Sequence, residues 1–108
     1  MMKKFGVHTF ALMTALAVLL AVSSSMRADD ASALFKSKCA GCHGADGMGS
    51  AMGKKMGAHD FTAAEVQNMS DAELTEIITN GKNKMPAYKS LTPDQVKGLV
   101  AYIRTLKK

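Results

Sequence analysis

The chain has two cysteines, two prolines and no tryptophan in 108 residues, and only 6% of it is aromatic. Each shortage excludes something. Cys39 and Cys42 are the only thiols and stand three apart, so at most one disulfide forms, closing a loop too small to staple a fold. Neither lies at the exit of the apolar N-terminal run, which excludes a lipid anchor on a leading cysteine. No segment alternates apolar and polar residues at period two, so no strand is expected, and no internal repeat is present. No basic helix is interleaved with base-stacking aromatics, so nucleic-acid binding is not expected.

What is present first is a leader pattern. Lys3 and Lys4 precede a mostly apolar, uncharged run from Phe10 to Val22, and Ser23, Ser24 and Ser25 follow it. A basic start, an apolar middle and a small-residue exit describe a secretory signal peptide. The expected division is a cleaved leader over 1–28, cut after Ala28 or near Ser25, and one domain over 29–108. The alternative is an uncleaved membrane anchor; counted from Phe5 to Val22 the run has 18 residues, the short end for a spanning helix. Cleavage predicts an extracytoplasmic, periplasmic protein with no membrane insertion. It also removes Lys3, Lys4 and Arg27, so the formal net charge falls from +5 to +2. The remaining 80 residues make a thin core, one that usually needs a disulfide, a metal or another buried group. A large apolar cofactor would fill that need.

Three helices are predicted. The first starts at Asp30 as N-cap, and Ala31, Phe35 and Cys39 recur at i, i+4 and i+8 on one stripe. The second starts at Ser70, where Ser70-Asp71-Ala72-Glu73 forms a capping box. Leu74, Ile77 and Ile78 supply its apolar face, and Asn80-Gly81 stops it. The third opens on Thr92-Pro93-Asp94-Gln95. Its Val96, Leu99, Val100, Ile103 and Leu106 fall in an arc of about 120°, with Tyr102 at the edge. The glycines between Gly44 and Gly57 predict loop, and a short helix is possible around Thr62–Asn68.

Cys39-Ala40-Gly41-Cys42-His43 is C-x-x-C-H, the attachment motif for c-type haem. On a helical turn these three side chains point within about 100° of one another. Two thiols can then reach the vinyl groups on one porphyrin edge, and the imidazole faces the iron. A thioredoxin-like pair needs a strand before the motif and a helix after it, the reverse of the order here. A structural zinc site needs four ligands, and His59 would have to be the fourth.

With His43 on one side of the iron, the other side can take Met, His, Cys or nothing. Met85 is the leading candidate, because Pro86 stiffens the segment after it and the connection from Lys82 to Leu91 joins two helices. Met48, Met52 and Met56 recur every four residues among glycines and read as loop or cofactor lining, since thioethers fill irregular apolar gaps. His59 keeps bis-histidine ligation open.

These residues resemble the class I monohaem cytochromes c, particularly the small bacterial ones. The resemblance rests on Leu34-Phe35 ahead of Cys39-Ala40-Gly41-Cys42-His43-Gly44, then Asn80-Gly81, Met85-Pro86-Ala87-Tyr88 and Leu99-Val100-Ala101-Tyr102-Ile103. It spans about Ala31 to Leu106. It implies an all-α fold of three main helices and loops wrapped around one covalently attached haem c, with thioether bonds at Cys39 and Cys42. It further implies His43 and Met85 as axial ligands, and crossing first and last helices with Ala31 and Phe35 near Leu99 and Tyr102. Two features depart from many relatives. The only prolines are Pro86 and Pro93, so another backbone group, expected in the glycine-rich loop, must accept the ring N–H of His43. The lack of tryptophan leaves the haem propionates without an assigned partner.

The functional expectation is a monomeric one-electron carrier, not an enzyme, serving a reductase and an oxidase. Lys36, Lys38, Lys54, Lys55, Lys82, Lys84 and Lys89 are expected to border the haem crevice, either steering an acidic partner or standing as ordinary solvated lysines. A haem enzyme or a gas or redox sensor with a displaceable sixth ligand is the alternative.

Overall fold

A computed structural model describes residues 26–108, and within them six helices occur in the order α1 (Ala28–Lys38), α2 (Ala40–His43), α3 (Ala51–Lys55), α4 (Ala64–Gln67), α5 (Asp71–Asn80) and α6 (Pro93–Thr105). No strand is present among the described residues; Lys82 and Met85 form one isolated antiparallel bridge. The leader expected over 1–28 falls almost wholly outside the described residues.

The two helices with local start signals begin where those signals stand. Ser70 Oγ accepts from the Glu73 amide at 3.1 Å, and the Glu73 carboxylate accepts from the Ser70 amide at 3.1 Å. Thr92 and Gln95 repeat the arrangement at α6, with Pro93 at the first helical position. α5 ends at Gly81, whose φ of 77° suits a residue without Cβ.

α1 differs from the expectation. Its N-cap is Arg27, without a side-chain cap bond, and Asp30 lies inside the first turn beside Asp29. Both carboxylates face the positive end of the helix dipole, where anions are favoured. The helix therefore gains from Asp30 as a charge and not as a cap. The glycine-rich segment also departs from loop, since residues 51–55 form a helical turn capped by Ser50.

The crossing of α1 and α6 builds the core. Phe35 and Leu99 are each 1% exposed, and Val66, Leu74, Ile78, Val96, Val100 and Ile103 complete the buried cluster. Burying one such side chain stabilises by about 2 kcal/mol. The Phe35 and Tyr102 rings meet at 4.9 Å between centroids. The α6 face holds at Val96, Leu99, Val100 and Ile103, while Leu106 is only partly buried. Polar clamps lock α6 to α4. Gln67 Nε2 donates to the carbonyls of Phe61 and Ile103, and Arg104 donates to the carbonyls of Gln67 and Met69 and to Asp71. No described helix is long and apolar enough to cross a membrane.

Candidate functional site

Cys39 closes α1 and opens α2. Its amide donates to the Phe35 carbonyl at 2.8 Å, and its own carbonyl accepts from the His43 amide at 2.9 Å. Residues 39–43 thus make the helical turn the spacing predicts, and Cys39, Cys42 and His43 all line one cleft of about 400 Å³. The two thiols form no disulfide.

This turn is held from behind by α3. Gly53 is buried there, and a Cβ at that position would lie 1.7 Å from the Cys42 carbonyl oxygen. Ser50 joins the same contact. Its hydroxyl donates to the Gly41 carbonyl at 2.7 Å, its amide donates to the Cys42 carbonyl at 3.0 Å, and its Oγ accepts from the Gly53 amide. Of the glycines in this stretch, Gly53 is used for close approach of two backbones and not for flexibility.

His43 stacks on Phe61, with ring centroids 4.3 Å apart and planes 24° from parallel. Its Nδ1 is buried and makes no hydrogen bond. Burial pushes the imidazole below its usual pKa, since the charged form loses hydration. The His59 backbone pulls the other way, which only an acceptor can do, so the group concerned is the His59 carbonyl. Nδ1 makes no hydrogen bond, so the acceptor expected for this ring in the glycine-rich loop is not in place. Burial also raises the Cys39 thiol to about 11, against the pull of Lys38.

The connection between α5 and α6 supplies Met85. Lys82 and Met85 exchange amide-to-carbonyl bonds of 3.1 and 2.9 Å around a turn in which Asn83 has φ 54°. Asparagine tolerates that region better than most residues. A Cβ at Gly81 would lie 2.6 Å from the Met85 carbonyl oxygen, so the segment folds back directly on the end of α5. The Tyr88 amide donates to Ile78 O at 3.1 Å, and the Tyr88 hydroxyl donates to Lys38 O at 3.1 Å.

Met85 is half-buried and lines the same cleft as Cys39, Cys42 and His43. Between them the walls are mainly apolar, with Val66, Met69, Ile77 and Met56. Met48 and Met52 do not reach the cleft and are exposed. His59 stands at the rim, largely exposed, with Nδ1 3.3 Å from Glu65 Oε1. Of the seven lysines expected to border the crevice, Lys38, Lys82 and Lys84 do so. Lys36, Lys54, Lys55 and Lys89 are not on its lining, and Lys89 bonds Asn80 instead.

The donor set fits a haem. Two thiols and an imidazole come from one helical turn, a thioether comes from a separate connection, and apolar surface lies between. The buried Nδ1 without a partner marks a histidine held in place and not solvated. Zinc fits less well, since no three His, Cys, Asp or Glu side chains among the described residues gather in a metal-holding arrangement. Phe61, Ser50, Gly53 and Tyr88 shape the site, yet apart from Tyr88 within Met85-Pro86-Ala87-Tyr88 no sequence signal singled them out.

Comparison with known proteins agrees with this geometry. Residues 27–103 match the family model described as cytochrome C oxidase, cbb3-type, subunit III. The chain is 36% identical over 96 residues to cytochrome c-553 of Helicobacter pylori (strain ATCC 700392 / 26695), covering 82% of this chain and 91% of that protein. It is similar to the solved structure of the c-type cytochrome KustC0563, with 38% identity and a TM-score of 0.69, covering 72% of this chain and 98% of the other. A tyrosine-to-phenylalanine variant of that cytochrome matches with 40% identity and a TM-score of 0.67, over 72% of this chain and 99% of the other. The helical fold, the attachment motif on its cleft and these similarities converge on one family: the chain belongs to the small monohaem c-type cytochromes, electron carriers of the all-α class I fold with covalently bound haem c.

Proposed function

We propose that the protein is a diffusible one-electron carrier whose haem is tethered through thioethers at Cys39 and Cys42 and clamped axially by His43 and Met85. The observation that carries this reading is the convergence of all four side chains on one cleft from two separate elements, α2 and the connection after α5. When bound, haem c supplies a reversible Fe(III)/Fe(II) couple.

The chain's own residues do the rest. Phe61 stacks on the His43 ring, and α3 braces the backbone of the turn that carries it. Met85 offers a neutral thioether, which favours the less charged ferrous state over a more basic donor. Val66, Met69 and Ile77 exclude water from between these ligands, lowering the local dielectric. Two protein ligands leave no position for a substrate, so the protein exchanges electrons and is not an enzyme. Lys38, Lys82 and Lys84 at the cleft favour approach of an acidic redox partner, steering that weakens as salt rises. The leader pattern before Ala28 supports an extracytoplasmic, periplasmic site of action.

Protein matured in a host able to attach such cofactors should keep its haem stain through denaturing electrophoresis. The ferric form should show the weak long-wavelength band of a sulfur-ligated haem. Unpigmented protein at apoprotein mass would overturn the tether, and rapid CO binding by the wild type at neutral pH would overturn the closed sixth position.

A further inference from the structure

The hydrogen bonds of the 81–91 connection run mostly within itself or to α5, while Met85, Tyr88 and Leu91 pack on the core. Gly81 packs on Met85, Lys82 pairs with Met85, Tyr88 N–H bonds Ile78 O, and Lys89 Nζ bonds Asn80. Among the described residues, one hydrogen bond ties this connection to the segment that carries the C-x-x-C-H turn. It runs from the Tyr88 hydroxyl to the carbonyl of Lys38, the residue before Cys39, across 50 positions of sequence. Both residues line the cleft. The acceptor is one of the last carbonyls of α1, which have no partner within their own helix. The hydroxyl therefore satisfies a helix end and joins the two walls of the cleft in one bond.

From this geometry we infer that Tyr88 is a positioning residue, a latch whose hydroxyl keeps the Met85 segment closed against the motif turn and so holds the thioether on the iron. The inference rests on the ligation proposed above. Opening the segment at Gly81 keeps the Lys82–Met85 turn intact but releases both bonds of Tyr88, its amide to Ile78 O and its hydroxyl to Lys38 O. Of these two, only the Tyr88–Lys38 bond joins the connection to the motif segment. An opened segment takes Met85 away while α1, α5 and α6 stay packed.

Tyr88→Phe keeps the ring and removes the bond. A typical net hydrogen bond corresponds to about a fivefold change in an equilibrium. Ferric Tyr88→Phe holoprotein should thus bind imidazole about fivefold more tightly than wild type, and the Tyr88 amide should exchange faster with solvent. Ile103→Val lowers global stability from within the core and should leave imidazole affinity unchanged. That control separates a latch from general loosening. Equal affinity in Tyr88→Phe and wild type, or the same gain in Ile103→Val, overturns the latch. Met85→Ala separates the two levels. If it keeps the long-wavelength band, the ligation reading falls and the latch falls with it; if it loses the band while Tyr88→Phe leaves affinity unmoved, only the latch falls.

Discussion

Replacing Gly53 with alanine should have an effect opposite in sign to the usual one. Within a helix that change normally stabilises by up to ~1 kcal/mol, because alanine loses less backbone freedom on folding. Here the new Cβ would sit 1.7 Å from the Cys42 carbonyl oxygen, 2.5 Å from its carbon and 2.9 Å from Cys42 Cα. All three are backbone atoms of the motif turn, so no side chain can swing aside. Bringing the first contact past 3.0 Å needs more than 1 Å of separation between α3 and α2. That stretches the Ser50 bonds to Gly41 O and Cys42 O, now 2.7 and 3.0 Å, towards or beyond useful range. Overpacking of about 1–3 kcal/mol and two weakened hydrogen bonds of about 1 kcal/mol each exceed the propensity gain. The net loss is about 2–4 kcal/mol, which for a domain of this size lowers Tm by at least ~10 °C. The matched control is Gly41→Ala, in the motif turn itself, where an added Cβ meets nothing within 4 Å. Calorimetry on the two holoproteins should show a clear drop for Gly53→Ala and no loss for Gly41→Ala. An unchanged or raised Tm for Gly53→Ala would refute the close-approach argument.

Further outcomes follow from the same contacts. Gly81→Ala puts a Cβ at a φ of 77° and 2.6 Å from Met85 O; the long-wavelength ferric band should vanish while far-UV circular dichroism keeps its helical form. Arg104→Met leaves the Gln67 and Met69 carbonyls without their donor and should cost about 2 kcal/mol by urea unfolding. Asp71→Asn should stay within about 0.5 kcal/mol, because Asp71 is 78% exposed. Bonds from the Thr62 hydroxyl and amide hold the Asp60 carboxyl below its ordinary pKa. The folded value is depressed, so the contribution is present above the ordinary value and fades as pH falls through the folded one. The Tm advantage of wild type over Asp60→Asn should therefore shrink below about pH 4; an advantage that persists there would contradict this assignment.

The elements legible in the sequence are those whose signals are local. The boxes at Ser70 and Thr92 each satisfy their own helix within three residues, so they read without knowledge of the fold. The α6 stripe and the C-x-x-C-H turn are likewise written in spacing. What escaped reading depends on distant partners. Residues 51–55 look like loop because glycine disfavours helix, yet packing of Gly53 against Cys42 and capping by Ser50 outweigh that preference. Asp30 has the chemistry of a cap, but Asp29 and Asp30 together act as first-turn charges and the helix starts earlier. Phe61 lies 18 positions from His43, and no periodicity connects them. The lysines show the same limit, since a count along the chain does not say which of them reach the cleft.

The docking of α1 on α6 has a consequence for how the protein is made. Phe35 is covered by residues near the end of the chain, Leu99 and Tyr102 among them. A nascent polypeptide that stops short of those positions cannot seal that ring from water. α1 then lacks the helix it crosses, although α3 can still back the motif turn. Docking of α6 is thus what seals the α1 face beside the motif, and a variant that weakens α6 should loosen the cysteine turn before it disturbs α5.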